Sequence, residues 1–220
     1  MKKLILLLAI LVLPFSASAQ LLIDPVSKAA AGTNDLGVTF GFSEVDYEID
    51  SGGTATVDRK YTGMSLAHGL SEDVDLYGAL AYTYESEIND SNDDDDGMIL
   101  AAGVKSRLGQ VEELSFYGYG QVQYLAEDYG NDVDASLFET NLGVLSRVNL
   151  FDPLAFYAGL DFIPISEGEL DTRVGDVDFE RDDIFGVRLG ADLEMDGWSI
   201  RAEYALVSEQ TVTLGLNFNL

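Results

Sequence analysis

The stretch TVTLGLNFNL, Thr211 to Leu220, alternates without a break. Val212, Leu214, Leu216, Phe218 and Leu220 are apolar, and Thr213, Gly215, Asn217 and Asn219 between them are small or polar. A period of two puts these sets on opposite faces of one β-strand. The fold depends on which face meets the protein and which its surroundings.

The same pattern fills the chain from residue 36 onward. Alternating runs separated by turn signals predict ten strands, near 36–49, 55–70, 74–85, 98–108, 114–126, 136–149, 154–163, 184–193, 198–206 and 211–220. In the first of them the apolar parity switches between Phe42 and Val45. A bulge or a change of surroundings explains such a switch. Four connections are short: Ser71-Glu72-Asp73, Gly109 to Glu113, Phe151-Asp152-Pro153 and Glu194 to Gly197. Alternating with them are long acidic stretches, Ser86 to Gly97, Glu127 to Ala135 and Pro164 to Asp183, although Ser51 to Gly53 and Val207 to Gln210 on the same side are short. Short turns at one end and long polar loops at the other mark an outer-membrane barrel.

The N-terminus agrees. Lys2 and Lys3, an apolar run from Leu4 to Leu13, and Ala17-Ser18-Ala19 read as a secretory signal cleaved after Ala19. The expected organisation is signal peptide 1–19, a short periplasmic tail 20–35 and a barrel 36–220. No later stretch has the 18 or more consecutive apolar residues of a transmembrane helix. The chain has no cysteine, so an exported protein of this size rests on packing and hydrogen bonds. Its 39 acidic against 12 basic residues exclude nucleic acid, which needs a basic footprint.

The two faces of the strands carry different things. On the apolar face, Tyr82, Tyr84, Tyr124, Phe138, Phe162, Phe185 and Tyr204 fall at the long-loop end, and Phe116, Phe156, Trp198 and Phe218 at the short-turn end. The ninth strand adds Ile200, Ala202 and Leu206 to that face. Aromatic rings favour the membrane–water boundary, so two belts indicate a bilayer. A soluble sandwich also alternates but has no reason to sort its aromatics. The opposite face carries Lys105, Arg107, Glu139, Asn141, Arg147, Asp161, Arg188, Asp192, Arg201 and Glu203 in mid-strand. Inside a narrow barrel these pair across the lumen, as buried charge requires.

Taken together, signal, strands, belts and terminus resemble the small outer-membrane β-barrels of Gram-negative bacteria, the OmpA-like and opacity-type superfamily. The likeness covers about residues 36–220. It implies an all-β, antiparallel, up-and-down transmembrane barrel in the outer membrane, of about ten strands here, with the eight commonest in small members as the alternative. It also implies an assembly signal, matched by Thr213, Gly215, Phe218 and Leu220, that the barrel-insertion machinery recognises. Leu220 stands where the usual last residue is Phe.

Candidate chemistry is sparse. Surface proteases and deacylases of this membrane need a histidine at the outer rim or beside a serine. The single histidine, His68, falls next to a short turn on the lipid-side face. The run Asp93 to Asp96 with Gly97 starts like an EF-hand from Asn92, but position 12 is Gly103 where a bidentate Glu is needed. A looser divalent-cation site in that acidic loop is the remaining metal reading, and no cofactor is expected. The expected function is a non-enzymatic integral barrel with a plugged or very narrow lumen, serving envelope structure or surface contact. A small-solute, porin-like channel is the alternative; an outer-membrane enzyme and a soluble periplasmic binding protein follow. The expected partners are outer-membrane lipid, lipopolysaccharide and, during biogenesis, the assembly machinery, with the chain as a monomer.

Overall fold

The computed structural model describes residues 29–50, 52–88, 95–130, 133–173, 175–206 and 209–220. The expected signal segment, residues 20–28 of the tail and Asn92 to Asp94 of the acidic loop lie outside them. The regular elements among the described residues are eleven β-strands: β1 (Asn34–Ile49), β2 (Thr54–Gly69), β3 (Val74–Ile88), β4 (Asp95–Val111), β5 (Leu114–Asp128), β6 (Asp134–Phe151), β7 (Leu154–Asp171), β8 (Val177–Arg181), β9 (Phe185–Met195), β10 (Trp198–Leu206) and β11 (Glu209–Asn219). All pairings between these strands are antiparallel, and β11 pairs with β1 from Val45↔Glu209 to Asp35↔Asn219. That pairing closes the sheet into a barrel and leaves no edge. Asp196-Gly197 makes the tight turn between β9 and β10, with Gly197 at a φ of 81°, which glycine adopts without steric cost.

The strands are unequal. β1 to β7 run 15 to 18 residues, whereas β9, β10 and β11 run 11, 9 and 11. At the loop end the first seven therefore rise past the last three. β8 occupies the space above the short strands, pairing with β7 (Gly168↔Phe179) on one side and β1 (Ile49↔Phe179, Tyr47↔Arg181) on the other. Two closed rings result. At the turn end the ring has ten strands; at the loop end β8 replaces β9 to β11, and the ring has eight.

β8 corrects the reading of Pro164 to Asp183 as a loop. Val177, Phe179 and Arg181 alternate with Asp178 and Glu180, but five residues under so many charges read as solvent-exposed coil. Much of the two other acidic stretches is wall as well: β3 runs on to Ile88, β4 starts at Asp95, β5 runs to Asp128 and β6 starts at Asp134. In β7 an extra residue opposite β6, where Thr140 pairs with Ile165 and Leu142 with Phe162, absorbs Pro164. A bulge is where a strand tolerates proline.

The parity switch in β1 has its explanation here. Both registers of β1, with β2 and with β11, run without a shift, and Asp35, Thr39, Ser43, Val45 and Tyr47 are all buried on one face. The strand keeps its phase, and the surroundings change around it. Below Phe42 the outward face is apolar: Phe40, Met64, Leu80, Leu100, Leu142, Val144, Leu160, Val212 and Leu214 are each 49–60% exposed, and none of their cross-strand partners is charged. Above Phe42 the outward face is Glu44, Asp46 and Glu48. An apolar girdle of this extent is foreign to the surface of a soluble monomer.

Two residues depart from their expected faces. Leu206 is 3% exposed at the top of β10, where the ten-stranded ring gives way to β8, instead of on the outer face. Asn219 ends β11 exposed, beyond the last buried lumen position, Asn217. Residues 31–33 fold against the end of β2, Gly32 N–H donating to the Gly69 carbonyl at 2.8 Å and Gly69 N–H to that of Thr33 at 3.1 Å.

Candidate functional site

Inward-facing positions of a barrel with so few strands project into a space that side chains can fill. Here they bring charge with them. Arg59, Lys105, Arg181, Arg188 and Arg201, out of twelve Lys and Arg in the chain, are buried in the lumen. The acidic excess of the sequence is therefore an outer-surface property.

The buried charges form layers. Nearest the loop end, Arg59 donates from Nε and Nη2 to the Glu127 carboxylate at 2.8 and 2.9 Å and from Nη1 to the Tyr47 hydroxyl at 3.1 Å. Tyr129 donates to Glu127 at 2.7 Å and lies 3.0 Å from the Ser86 hydroxyl. Burial and the Glu127 carboxylate both push the Tyr129 hydroxyl well up from its ordinary pKa, so it stays a donor. One layer down, the Arg181 guanidinium of β8 forks onto Glu139, which also accepts from Gln123 at 2.6 Å and Ser166 at 3.1 Å. Planar two-point pairing of this kind is what guanidinium geometry favours.

Within the girdle, Arg188 of β9 bridges two carboxylates, Asp161 of β7 at 2.8 Å and Glu203 of β10. Tyr119 donates to Asp161, and Tyr157 to Glu203 at 2.7 Å. Asp192 and Arg201 face each other as cross-strand partners and are 1% and 0% exposed. Toward the turn end, the buried pair Lys105–Asp75 is 3.5 Å apart, and Arg147 meets Glu194 at 2.6 Å. Arg107 does not join the interior: it is half-exposed at the turn-end rim, 2.7 Å from Asp73. A register shift between Arg107 and Gly109 breaks the inward phase of β4 there.

Bulky tyrosines pack between these layers because glycines make room. Tyr61, Tyr77, Tyr119 and Tyr157 are directly opposite Gly41, Gly103, Gly143 and Gly190 on the next strand, and a Cβ at any of the four would overlap the ring. Gly215, from the assembly signal, is opposite Arg201, whose Nη2 a Cβ would approach to 3.2 Å. Thr213 is buried beside it on the lumen face, and Phe218 and Leu220 are exposed on the outer one. The belt aromatics all point outward: Phe185 is 62% exposed, Tyr82, Tyr84, Phe116, Tyr124, Phe138 and Trp198 are exposed, and Phe156, Phe162 and Tyr204 are half-buried against neighbours such as Phe185, stacked on Phe162 at 5.2 Å.

Arg59, Glu127, Arg181, Asp75 and the lumen tyrosines Tyr47, Tyr61, Tyr77 and Tyr157 are the residues that sequence reasoning missed. Arg59 shares the parity of Val57 and Tyr61, and Asp75 that of Tyr77 and Ala79, so strand phase carried the signal. Arg181 and Glu127 fell in stretches taken for loops.

Chemically the arrangement neutralises and fills. Between the two upper layers, about 20 Å³ of space remains, room for about one water. His68 is exposed on the outer face at the turn end, its Nδ1 2.9 Å from Asn34 Oδ1. Among the described residues, no group of three or more His, Asp or Glu side chains is placed to hold a metal ion. Asp96 of the acidic run accepts a hydrogen bond from Tyr82.

No protein-family model matches the sequence, and no curated protein matches it. Solved structures do. The outer membrane protease OmpT from Escherichia coli has a TM-score of 0.54 at 9% identity, covering 91% of this chain and 99% of that one. An outer membrane channel from Pseudomonas putida F1 has a TM-score of 0.52 at 12% identity, covering 90% and 100%. The translocator domain of the autotransporter NalP from Neisseria meningitidis has a TM-score of 0.50 at 16% identity, covering 90% and 91%. A protease, a channel and a translocator have in common the membrane β-barrel, and at these identities the likeness extends to the fold alone.

Proposed function

We propose that the chain is an integral outer-membrane barrel of the OmpA-like, opacity-type kind, closed along its axis and without catalytic activity. It acts as an envelope-structural or surface-contact protein. The turn end faces the periplasm and the eight-stranded tier stands above the outer leaflet. The observation that carries the reading is the layered interior. Arg59–Glu127, Arg181–Glu139 and Arg188 with Asp161 and Glu203 span the lumen one above another, each buried and ion-paired.

A hydrolase reading lacks its parts. The one histidine is on the outer face at the far end from the acidic tier, so it has no place in a rim constellation like those of surface proteases. Lipid contacts the girdle; lipopolysaccharide, itself anionic, meets the acidic upper wall across divalent cations or at a distance. Barrel-assembly machinery takes the strand Thr211 to Leu220, and the barrel works as a monomer. The alternative is a small-solute channel, which requires the Arg181 and Arg188 layers to part.

Planar-bilayer recording of the refolded chain tests the two. The closed reading expects no stepwise current above background. Discrete conductance steps, enlarged by Arg188→Ala, overturn it in favour of the channel.

A further inference from the structure

The layers close the lumen from below, but the eight-stranded tier above them is not packed solid. A cavity of about 130 Å³ remains inside it, walled by Ile49, Val57, Ile88, Leu125, Val177 and Phe179. These come from five strands, β1, β2, β3, β5 and β8, so the cavity belongs to the tier as a whole. Phe179 stands edge-on to Tyr47, ring centroids 5.2 Å apart, and fixes one wall. Val57 and Leu125 are 5% exposed, whereas Ile49, Ile88, Val177 and Phe179 around the upper rim are half-buried. The cavity therefore opens toward the loop end.

We propose that this cavity is a binding site for a small neutral apolar molecule, of the size of one aromatic ring or a short alkyl chain. Three observations select that class. The first is size: apolar cavities of about 150 Å³ stay dry and admit guests such as benzene. The second is the state of the polar atoms at the floor. The Arg59 nitrogens donate to Glu127 and Tyr47, and Tyr129 donates to Glu127. A sugar or an amino acid would bury hydroxyls, amines or carboxylates against groups already engaged, and an unmatched buried polar group is costly. The third is the rim. Glu48, Asp50, Asp128 and Asp134 are exposed on the loop-end wall and do not line the cavity themselves, so an anion approaches it through a repulsive field.

The site is a dead end above the Arg59–Glu127 layer, a receptor pocket in place of a route. It rests on the closed reading proposed above, which bilayer recording tests separately from the binding of benzene.

The test uses the full mature chain in lipid nanodiscs with labelled Ile, Leu and Val methyls, benzene as the probe and benzoate as its anionic counterpart. Benzene is expected to shift the methyls of Ile88, Leu125 and Val177 saturably, with benzoate at least about tenfold weaker. Ala135→Leu and Ala55→Leu, two independent fillings of the cavity, are expected to abolish those shifts while the girdle methyls of Leu100 and Leu142 keep their positions. If one variant fails to fold, the other carries the test. Shifts confined to Leu100 and Leu142 would report partition into lipid and overturn the proposal. So would an unsaturable response at Leu125, equal shifts from benzoate, or undiminished shifts in a folded filled variant.

Discussion

The girdle tier and the loop-end tier are built from the same strands in opposite senses. In the girdle, β1 turns Phe40 and Phe42 outward and Thr39 and Ser43 inward. A few residues higher it turns Glu44, Asp46 and Glu48 outward and Val45 and Tyr47 inward, with no break in phase. The apolar side follows the medium outside the wall. Where that medium is lipid, the interior must hold the polar groups and satisfy them internally. Where it is water, apolar side chains turn into the interior, here Val45, Tyr47, Val57, Leu125 and Leu137, and pack around the Arg59–Glu127 and Arg181–Glu139 pairs. The narrowing from ten strands to eight accompanies the change, since a core of side chains fills an eight-stranded ring and leaves little to spare.

The difference predicts where each tier is weak. The girdle interior depends on charge neutrality, so its most damaging change removes a cation shared by two anions. Arg188→Met leaves Asp161 and Glu203 buried with their tyrosines but without the guanidinium they share, a loss expected at about 3–5 kcal/mol. Urea titration of the refolded protein in lipid reads it as a lowered midpoint. Adding Asp161→Asn and Glu203→Gln to the same variant is expected to recover most of the loss, because Tyr119 and Tyr157 can still donate to the amide oxygens. A triple variant as unstable as Arg188→Met would show that packing, not charge balance, holds the layer.

The next largest effect compares one substitution on the outer wall at two heights. Val144 is 53% exposed in the middle of the girdle on β6, and Val144→Arg is expected to cost about 2–4 kcal/mol, the penalty for a cation in the bilayer midplane. Glu44 is opposite Asp58, which is in turn opposite Glu87, a row of like charges across β1, β2 and β3. Glu44→Arg replaces repulsion by attraction and is expected to be neutral or slightly stabilising. Heat-modifiable gel migration and the urea midpoint measure both. Equal costs at the two positions would place the membrane boundary above Glu44 and break the two-tier reading.

The girdle was legible in the sequence because its constraint is local and repeated. Each strand announces its own phase, and the aromatic residues that end the apolar runs, such as Tyr124 and Phe116 on β5, mark the boundary. The upper tier was not, because its constraint is reversed and its elements look like loops. Charges at every second position of Asp178 to Glu180 and Glu167 to Asp171 signal solvent, and the alternating Phe179, Gly168 and Leu170 are too few to outweigh them. That β8 pairs with β1, more than a hundred residues earlier in the chain, is a tertiary fact with no local trace. The ion-pair residues were half legible for the same reason. Asp161, Arg188, Asp192, Arg201 and Glu203 belong to the well-phased strands, while Arg181 and Glu127 belong to the tier that was hidden.

The smallest expected effect separates the tiers by salt. Asp96, Asp128, Asp134 and Asp171 are successive cross-strand partners over β4, β5, β6 and β7, and Glu48 is opposite Glu180 where β1 meets β8. Like charges placed directly opposite destabilise a sheet by a few tenths of a kcal/mol per pair, and exposed charges are screened within about 8 Å at physiological ionic strength. Raising salt should therefore tighten the upper tier and leave the girdle unchanged, since the girdle pairs are buried and out of reach of mobile ions. Amide hydrogen exchange in nanodiscs resolves the two. Between low and physiological salt, exchange at Phe179 to Arg181 and at Asp128 should slow by up to about threefold, a few tenths of a kcal/mol for each pair relieved. Exchange at Tyr119, Arg188 and Glu203 should not move. If it quickened there instead, the Arg188 layer would be open to solvent, and its ion pairs would be contributing as surface pairs do.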